Sequence, residues 1–161
     1  MKDEVDDLSA AWARERPDLD LAPVAVFSRL ARLSRHLDLA RREAFTAHAI
    51  EPWEFDVLAA LRRAGSPYEL SPGRLLRETM VTSGTMTNRV DRLVARGFVE
   101  RLPDPEDRRG VLVRLTREGK TAVDGAFEAL LEAETTFVSG LSESEQEQLA
   151  NLLRTLLQPF T

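Results

Sequence analysis

The sequence predicts a mainly α-helical chain interrupted by one small β-hairpin. Three observations carry that expectation. Apolar residues recur at helical spacing over most of the 161 residues. After Gly97 the period changes, and Phe98–Leu102 and Val111–Leu115 are short β-like runs. Immediately before them, two short helices are joined by a tight turn. Helix, turn, helix and hairpin in that order make a winged helix-turn-helix.

The elements follow in order. Leu8 to Arg16, which holds Trp12, has helical turns, and Pro17 and Pro23 punctuate what comes next. From Val24 to Ala49 the residues Val26, Phe27, Leu30, Leu33 and Leu37 mark one face of a long amphipathic helix. Pro52 sits where the first turn of a helix tolerates it, and Phe55, Val57, Leu58 and Leu61 give that helix a buried face. Gly65-Ser66-Pro67 ends it, and Tyr68-Glu69-Leu70 is long enough for a single extended contact. Ser71-Pro72 starts a short helix through Glu78, with Ser as N-cap and Pro at the first helical position. Thr82 or Ser83 caps the next helix, which stops at Gly97. Pro103 to Gly110 is the polar tip of the hairpin. Thr116 caps a long helix carrying Val123, Phe127, Leu130, Leu131, Phe137 and Val138. Ser142 and Glu145 form a capping-box pattern that opens the last helix, with Leu149, Leu152, Leu153, Leu156 and Leu157 along one face. The chain reads as one domain, 1–161, made of N-terminal helices (1–49), a winged helix-turn-helix (50–116) and C-terminal helices (117–161).

Composition excludes several classes. There is no cysteine, which removes disulfides, thiolate metal sites and thiol redox sensing together. The longest uncharged stretch is the ten residues from Thr79 to Asn88, mostly polar, so no membrane span fits. The acidic start Met1-Lys2-Asp3-Glu4 lacks the apolar core of a secretory signal, and a cytoplasmic location is expected. No Ser/His/Asp arrangement or Gly-rich phosphate loop is present, so an enzyme is not expected. Only His36 and His48 could serve a metal. Twelve residues apart on one helix, they point in different directions more than ~15 Å apart, so neither a metal nor a cofactor is implied.

A net charge of −5 usually argues against nucleic acid. Its distribution argues otherwise. From Arg62 to Lys120 there are thirteen Lys/Arg against eight Asp/Glu, while the rest of the chain is strongly acidic. Within that basic third lies the second helix of the motif. At 100° per residue Met86, Val90, Leu93 and Val94 share an inward face. Gly84, Thr85, Asn88, Asp91 and Arg92 lie opposite, and such small, polar and cationic groups suit a DNA major groove, where bases are read by hydrogen bonds. Thr82 and Ser83 at the helix N-terminus suit a phosphate. An ordinary capped surface helix would explain that face, but not a hairpin with Asp107-Arg108-Arg109 at its tip. Arginine on a protruding loop suits a narrow minor groove.

These residues also resemble a family. Thr82-Ser83-Gly84-Thr85-Met86-Thr87-Asn88-Arg89-Val90-Asp91-Arg92-Leu93, then Gly97-Phe98-Val99, Asp104-Pro105-Glu106-Asp107-Arg108-Arg109-Gly110, Leu115-Thr116 and Gly119 look like the MarR family of bacterial transcription regulators. The resemblance implies an obligate homodimer with interlocking first and last helices. Each protomer is then expected to read half of a pseudo-palindromic double-stranded operator. It implies that Asp107 holds wing and recognition helix together and that Arg109 enters the minor groove.

Within the family the oxidation-sensing branch needs a cysteine, which leaves an organic effector. Trp12, Asp56, Arg89 and Arg101 resemble the Trp/Asp/Arg/Arg set of the urate-responsive branch, including the extra N-terminal helix that carries the Trp. Asp56, between Phe55 and Val57 on a core-side helix, is costly to bury unless paired, and Arg101 at the strand start is the expected partner. A planar anion such as urate would be held by Arg89, stack on Trp12, displace Asp56 from its partner and move the recognition helix through Arg89. A structural salt bridge plus a packing Trp is the alternative for the same four residues. Another purine, a polycarboxylate or a phenolic effector fits the chemistry too, as arginine reads charge and planarity more than identity. From a different class, a helical dimer binding DNA or a protein partner without effector control also fits.

Overall fold

The computed structural model describes residues 2–105, 107 and 110–160, arranged as two compact units, residues 1–40 and 41–161. In the first unit, α1 (Glu4–Glu15) begins four residues before the expected helical turns. Asp3 is the reason. Its carboxylate accepts the N–H groups of Val5 and Asp6 at 2.9 and 3.1 Å, and the Asp6 carboxylate returns to the Asp3 N–H at 2.8 Å. Acidic groups also favour a helix N-terminus. Arg29 reaches Asp3 and Asp6, each at 2.8 Å, and Arg32 reaches Glu4 at 2.5 Å, so ion pairs tie α1 to α2 (Ala22–Ala47) around the buried Val5. Hydrogen bonding to Arg29 holds the Asp3 carboxyl below its ordinary range. Trp12 is half exposed on α1, and Val26, Phe27, Leu30 and Leu33 of α2 are exposed.

α2 ends at Ala47, earlier than the spacing predicts, because Ala49 turns left-handed (φ +54°) and Ile50 N–H closes back on the Phe45 carbonyl at 3.1 Å. His48 therefore leaves the helix that carries His36. This corrects the expectation that both histidines share one helix. His48 instead lies against Gly125, where an added Cβ would come within 2.7 Å of the ring.

The second unit is built from α3 (Pro52–Arg63), β1 (Glu69–Leu70), α4 (Pro72–Thr79), α5 (Ser83–Ala95), β2 (Val99–Pro103), β3 (Val111–Leu115), α6 (Arg117–Val138) and α7 (Glu143–Leu157). The expected two-stranded hairpin is widened to three antiparallel strands in the order β1-β3-β2. β2 and β3 pair with Val99 opposite Leu115 and Pro103 opposite Val111. β1 joins because the Leu115 N–H reaches the Tyr68 carbonyl at 3.0 Å and Arg114 pairs with Glu69 at 2.7 Å. These are non-local bonds that the Tyr68-Glu69-Leu70 run does not advertise.

The core of this unit lies among α3, α4, α5, α6 and the sheet. Phe45, Val57, Leu58, Leu61, Leu75, Met86, Val90, Leu93, Val113 and Val123 are buried in it. Phe45 stacks on Phe55 at 4.4 Å between centroids. Val94, expected inward, is 37% exposed. It sits at the edge of the α5 stripe, where the core covers only Met86, Val90 and Leu93. On α7 no described residue is buried, and Leu149, Leu152, Leu156 and Leu157 are all exposed.

Two contacts fix α5. Gly97 takes φ +73° and ends the helix, while Thr116 caps α6 and donates its hydroxyl to the Gly97 and Phe98 carbonyls at 2.7 and 3.0 Å. Gly119 N–H returns to the Thr116 hydroxyl at 3.0 Å, and a Cβ on Gly119 would lie 2.0 Å from the Phe98 carbonyl oxygen. The other contact is ionic. Glu54 is buried with 1% exposure; its carboxylate accepts the Glu51 N–H at 2.9 Å and binds the Arg96 guanidinium, which also donates to the Ala49 carbonyl at 2.5 Å.

Gly119→Ala should lower stability by about 2–3 kcal/mol in denaturant titrations, because the obstacle is backbone that must move. Arg96→Ala should cost about 3 kcal/mol by stranding the Glu54 carboxylate, whereas replacing Glu54 and Arg96 together by methionine should cost far less. Equal losses for the single and the double change would show that the intact pair itself stabilises the fold and that a stranded carboxylate is not the cause of the loss.

Candidate nucleic-acid interface

The chemistry-bearing surface of the second unit is the outward side of α5. Thr82 is the N-cap. Its hydroxyl accepts the Thr85 N–H at 3.4 Å and lies 2.9 Å from the Thr85 hydroxyl, so the two threonines are ordered at the positive end of the helix. Ser83, Thr85, Asn88 and Arg92 are exposed. With Met86, Val90 and Leu93 in the core, the polar side of α5 must face outward.

Each flank of α5 is braced by an ion pair. On one side Arg101 of β2 donates to Asp91 at 2.6 Å, joining the recognition helix to the wing strand. Asp91, expected to face a groove, is thus engaged with protein. On the other side stands Trp53, in the first turn of α3. Arg92 lies 4.5 Å and Arg89 5.6 Å from its ring centroid, within the range of cation–π attraction. Glu51 lies 3.6 Å from Arg92 and accepts the indole N–H. Sequence reasoning missed Glu51, Trp53, Glu54 and Arg96 as site residues, because their partners lie on other elements. The one local signal is Glu51-Pro52-Trp53-Glu54, an aromatic between two acids at a helix start.

The four residues expected to receive an effector each have a different setting. Asp56 is exposed, not buried, and its nearest cation is Arg41 at 3.9 Å. Arg101 pairs with Asp91, so the expected Asp56–Arg101 bridge does not form. The reason is the rotation of α3: Phe55 and Val57 turn inward with Leu58 and Leu61, which leaves Asp56 outward. Arg89 is half-buried against Trp53. Trp12 belongs to the N-terminal unit. On the wing, the Asp107 carbonyl accepts the Gly110 N–H at 2.8 Å, and a Cβ on Gly110 would come within 2.8 Å of Asp104. Arg108 and Arg109 lie outside the described residues.

A separate groove of about 330 Å³ opens between α3 and α6. Phe55, Ala59, Val123 and Phe127 form its apolar wall, and Arg62, Arg63 and Asp124 line its polar side. Arg62 and Asp124 are paired at 2.8 Å, and that hydrogen bond raises the Arg62 pKa further.

Known proteins resemble this chain in sequence and fold. A family model described as MarR family matches residues 50–110. The HTH-type transcriptional regulator PecS of Dickeya dadantii is 39% identical over 150 residues, covering 93% of this chain and 90% of PecS. The HTH-type transcriptional repressor NicR of Pseudomonas putida is 30% identical, covering 86% of this chain and 89% of NicR. A mutant of Escherichia coli MarR complexed with operator DNA superposes with a TM-score of 0.70 at 29% identity, covering 85% of this chain and 97% of that one. Bordetella bronchiseptica BpsR, whose DNA binding is regulated by 6-hydroxynicotinic acid, gives a TM-score of 0.66 at 28% identity, covering 81% and 91%. The chain belongs to the MarR family of transcription regulators and is not an enzyme.

Proposed function

We propose that this MarR-family regulator acts as a homodimeric repressor. It binds a pseudo-palindromic operator and is released from it by a small organic anion, urate or a related purine. The observation that carries the reading is α5: a helix with one buried face, an ordered N-terminus at Thr82 and Thr85, and Asn88 and Arg92 exposed opposite the core. Ser83 joins the threonines as a phosphate donor, and Asn88 suits an adenine edge. Arg108 and Arg109 would follow the wing into the minor groove, with Asp107 supporting it. The exposed leucines of α7 and the exposed apolar stripe of α2 support a dimer, because apolar faces of that kind are seldom left in water. Residues 1–49 and 117–161 then serve dimerisation, and 50–116 serves DNA.

Arg89, Arg101, Asp56 and Trp12 are proposed as the residues through which the anion acts. An anion on Arg101 competes with Asp91 and so unties α5 from the wing. An anion on Arg89 pulls on α5 directly. Either shifts the equilibrium only by its differential affinity for the two states. A second reading is favoured by the groove between α3 and α6, whose phenylalanines and arginines suit an aromatic carboxylate.

Sedimentation at micromolar concentration should show a dimer, and a monomer would end the scheme. Arg109→Ala should weaken operator binding by about 1–3 kcal/mol with melting unchanged, and affinity should fall steeply with salt, about 0.9 in log–log slope per phosphate contact. Melting shifts against urate, xanthine, salicylate and aconitate identify the effector class. A shift with salicylate alone selects the groove reading, and no shift at all leaves the dimer without an effector. If urate is active, Trp12→Phe and Arg89→Ala should both blunt its release of DNA, while only Arg89→Ala should weaken DNA binding itself. An intact urate response in Trp12→Phe would remove Trp12 from the site.

A further inference from the structure

Trp53 packs only partly against the edge of the core, and Glu51 is exposed outside it. The apolar face of α3 is filled by Phe55, Val57, Leu58 and Leu61, and the N-terminal turn of α3 is closed by the Glu54 carboxylate on the Glu51 N–H at 2.9 Å. Trp53 is half-buried, with one side against the core, and its ring also meets the arginines of the recognition helix. Arg92 lies over its ring at 4.5 Å and Arg89 at 5.6 Å. The Trp53 Nε1–H donates to Glu51 Oε2 at 2.5 Å, and Glu51 Oε1 lies 3.6 Å from the Arg92 guanidinium. Arg92, Trp53 and Glu51 thus close a triangle of one cation–π contact, one hydrogen bond and one ion pair. The triangle borders a recess also lined by Gly84, Thr85, Asn88 and Arg89, the outward side of α5.

Two consequences follow from elementary electrostatics and entropy. An arginine already laid on an aromatic face has surrendered much of its side-chain freedom before DNA arrives, so less is lost on binding. An arginine already facing a carboxylate gains little by meeting one phosphate, because one anion is exchanged for another. It gains more where the helix is seated so that the guanidinium reaches both acceptors of a guanine edge. Ordering favours the specific complex, and the carboxylate disfavours the non-specific one.

We propose that Trp53 and Glu51 are specificity-determining positioning residues: Trp53 presets Arg92, with Arg89 beside it, and Glu51 withholds Arg92 from isolated phosphates. This rests on the reading of α5 as the DNA-reading helix. Neither residue touches DNA in this scheme; both act through Arg92.

The test uses the full chain, a short random-sequence duplex, and a duplex selected from a random pool by the wild-type protein. Glu51→Gln keeps an acceptor for the indole and removes the charge. It should bind the random duplex about fivefold tighter at physiological salt, with a log–log salt slope steeper by about 0.9, as for one added phosphate contact. Its gain on the selected duplex should be smaller, so discrimination falls. The gain should vanish when Arg92→Ala is added. Trp53→Leu should weaken the selected duplex about tenfold and leave the random one near wild type, and Trp53→Phe, which keeps an aromatic face, should recover part of the loss. If Trp53→Leu lowers the melting temperature, the exposed Glu51→Gln still decides the matter. Unchanged affinities and slope in Glu51→Gln, or a gain that persists beside Arg92→Ala, would overturn the proposal alone, provided Arg92→Ala by itself weakens binding. Arg92→Ala without effect on either duplex would overturn the underlying reading of α5 as well.

Discussion

Glu54 is the single charged side chain buried among the described residues, and its carboxylate is held by Arg96. The pair joins the first turn of α3 to the last turn of α5 across 42 residues of chain. Taking a carboxylate out of water is tolerable only with a cation and hydrogen bonds in place of solvent. Arg96 supplies the cation, the Glu51 N–H supplies one of the bonds, and the Ala49 carbonyl fixes the far side of the guanidinium. Three segments are thereby registered on one another: the end of α2, the start of α3 and the end of α5. Hydrophobic contact alone would hold these helices together with much less control over their relative sliding. The proposed DNA-reading role of α5 needs that control, since a polar face can read a groove only at a defined height.

The remaining braces serve the same end. Asp91–Arg101 fixes α5 to the strand leading into the wing, and Thr116 with Gly119 fixes the other strand and α6 to the turn after α5. On the opposite flank Trp53 and Glu51 engage Arg92. α5 is thus supported by ion pairs on both sides and by the core beneath, while Thr85 and Asn88 stay exposed. Exposed ion pairs contribute little to stability individually. Their value here is geometric, for they choose which arginines stand ready and which are occupied.

The same accounting explains the two apolar surfaces that the chain leaves to water. α7 carries four exposed leucines and no buried described residue, and α2 presents Val26, Phe27, Leu30 and Leu33 outward. Each stripe has the period of a packed helix. Neither is consumed by the unit it belongs to. In the proposed dimer a second copy of the chain would cover both.

Much of this was written locally. Caps at Ser71, Thr82, Thr116 and Ser142, the stop at Gly97 and the switch to strand period after it are short-range signals, and they delimit α4 to α7 and the hairpin because helix and turn bonds span only a few residues. The outward set on α5 followed from a 100° rotation per residue, and the motif from Thr82 to Gly110 carried the family. Partner choice among charges was not local. Asp56 looked buried beside Phe55 and Val57, yet one step of rotation turns it to solvent, and Arg101 found Asp91 instead. β1 needed β3, and Glu54 needed Arg96, before either had a meaning. The sequence by itself determined the helices, the hairpin strands and the family. Only the tertiary structure decided which acid meets which base, because that depends on how α3 rotates against α5 and on burial that no short window of residues records.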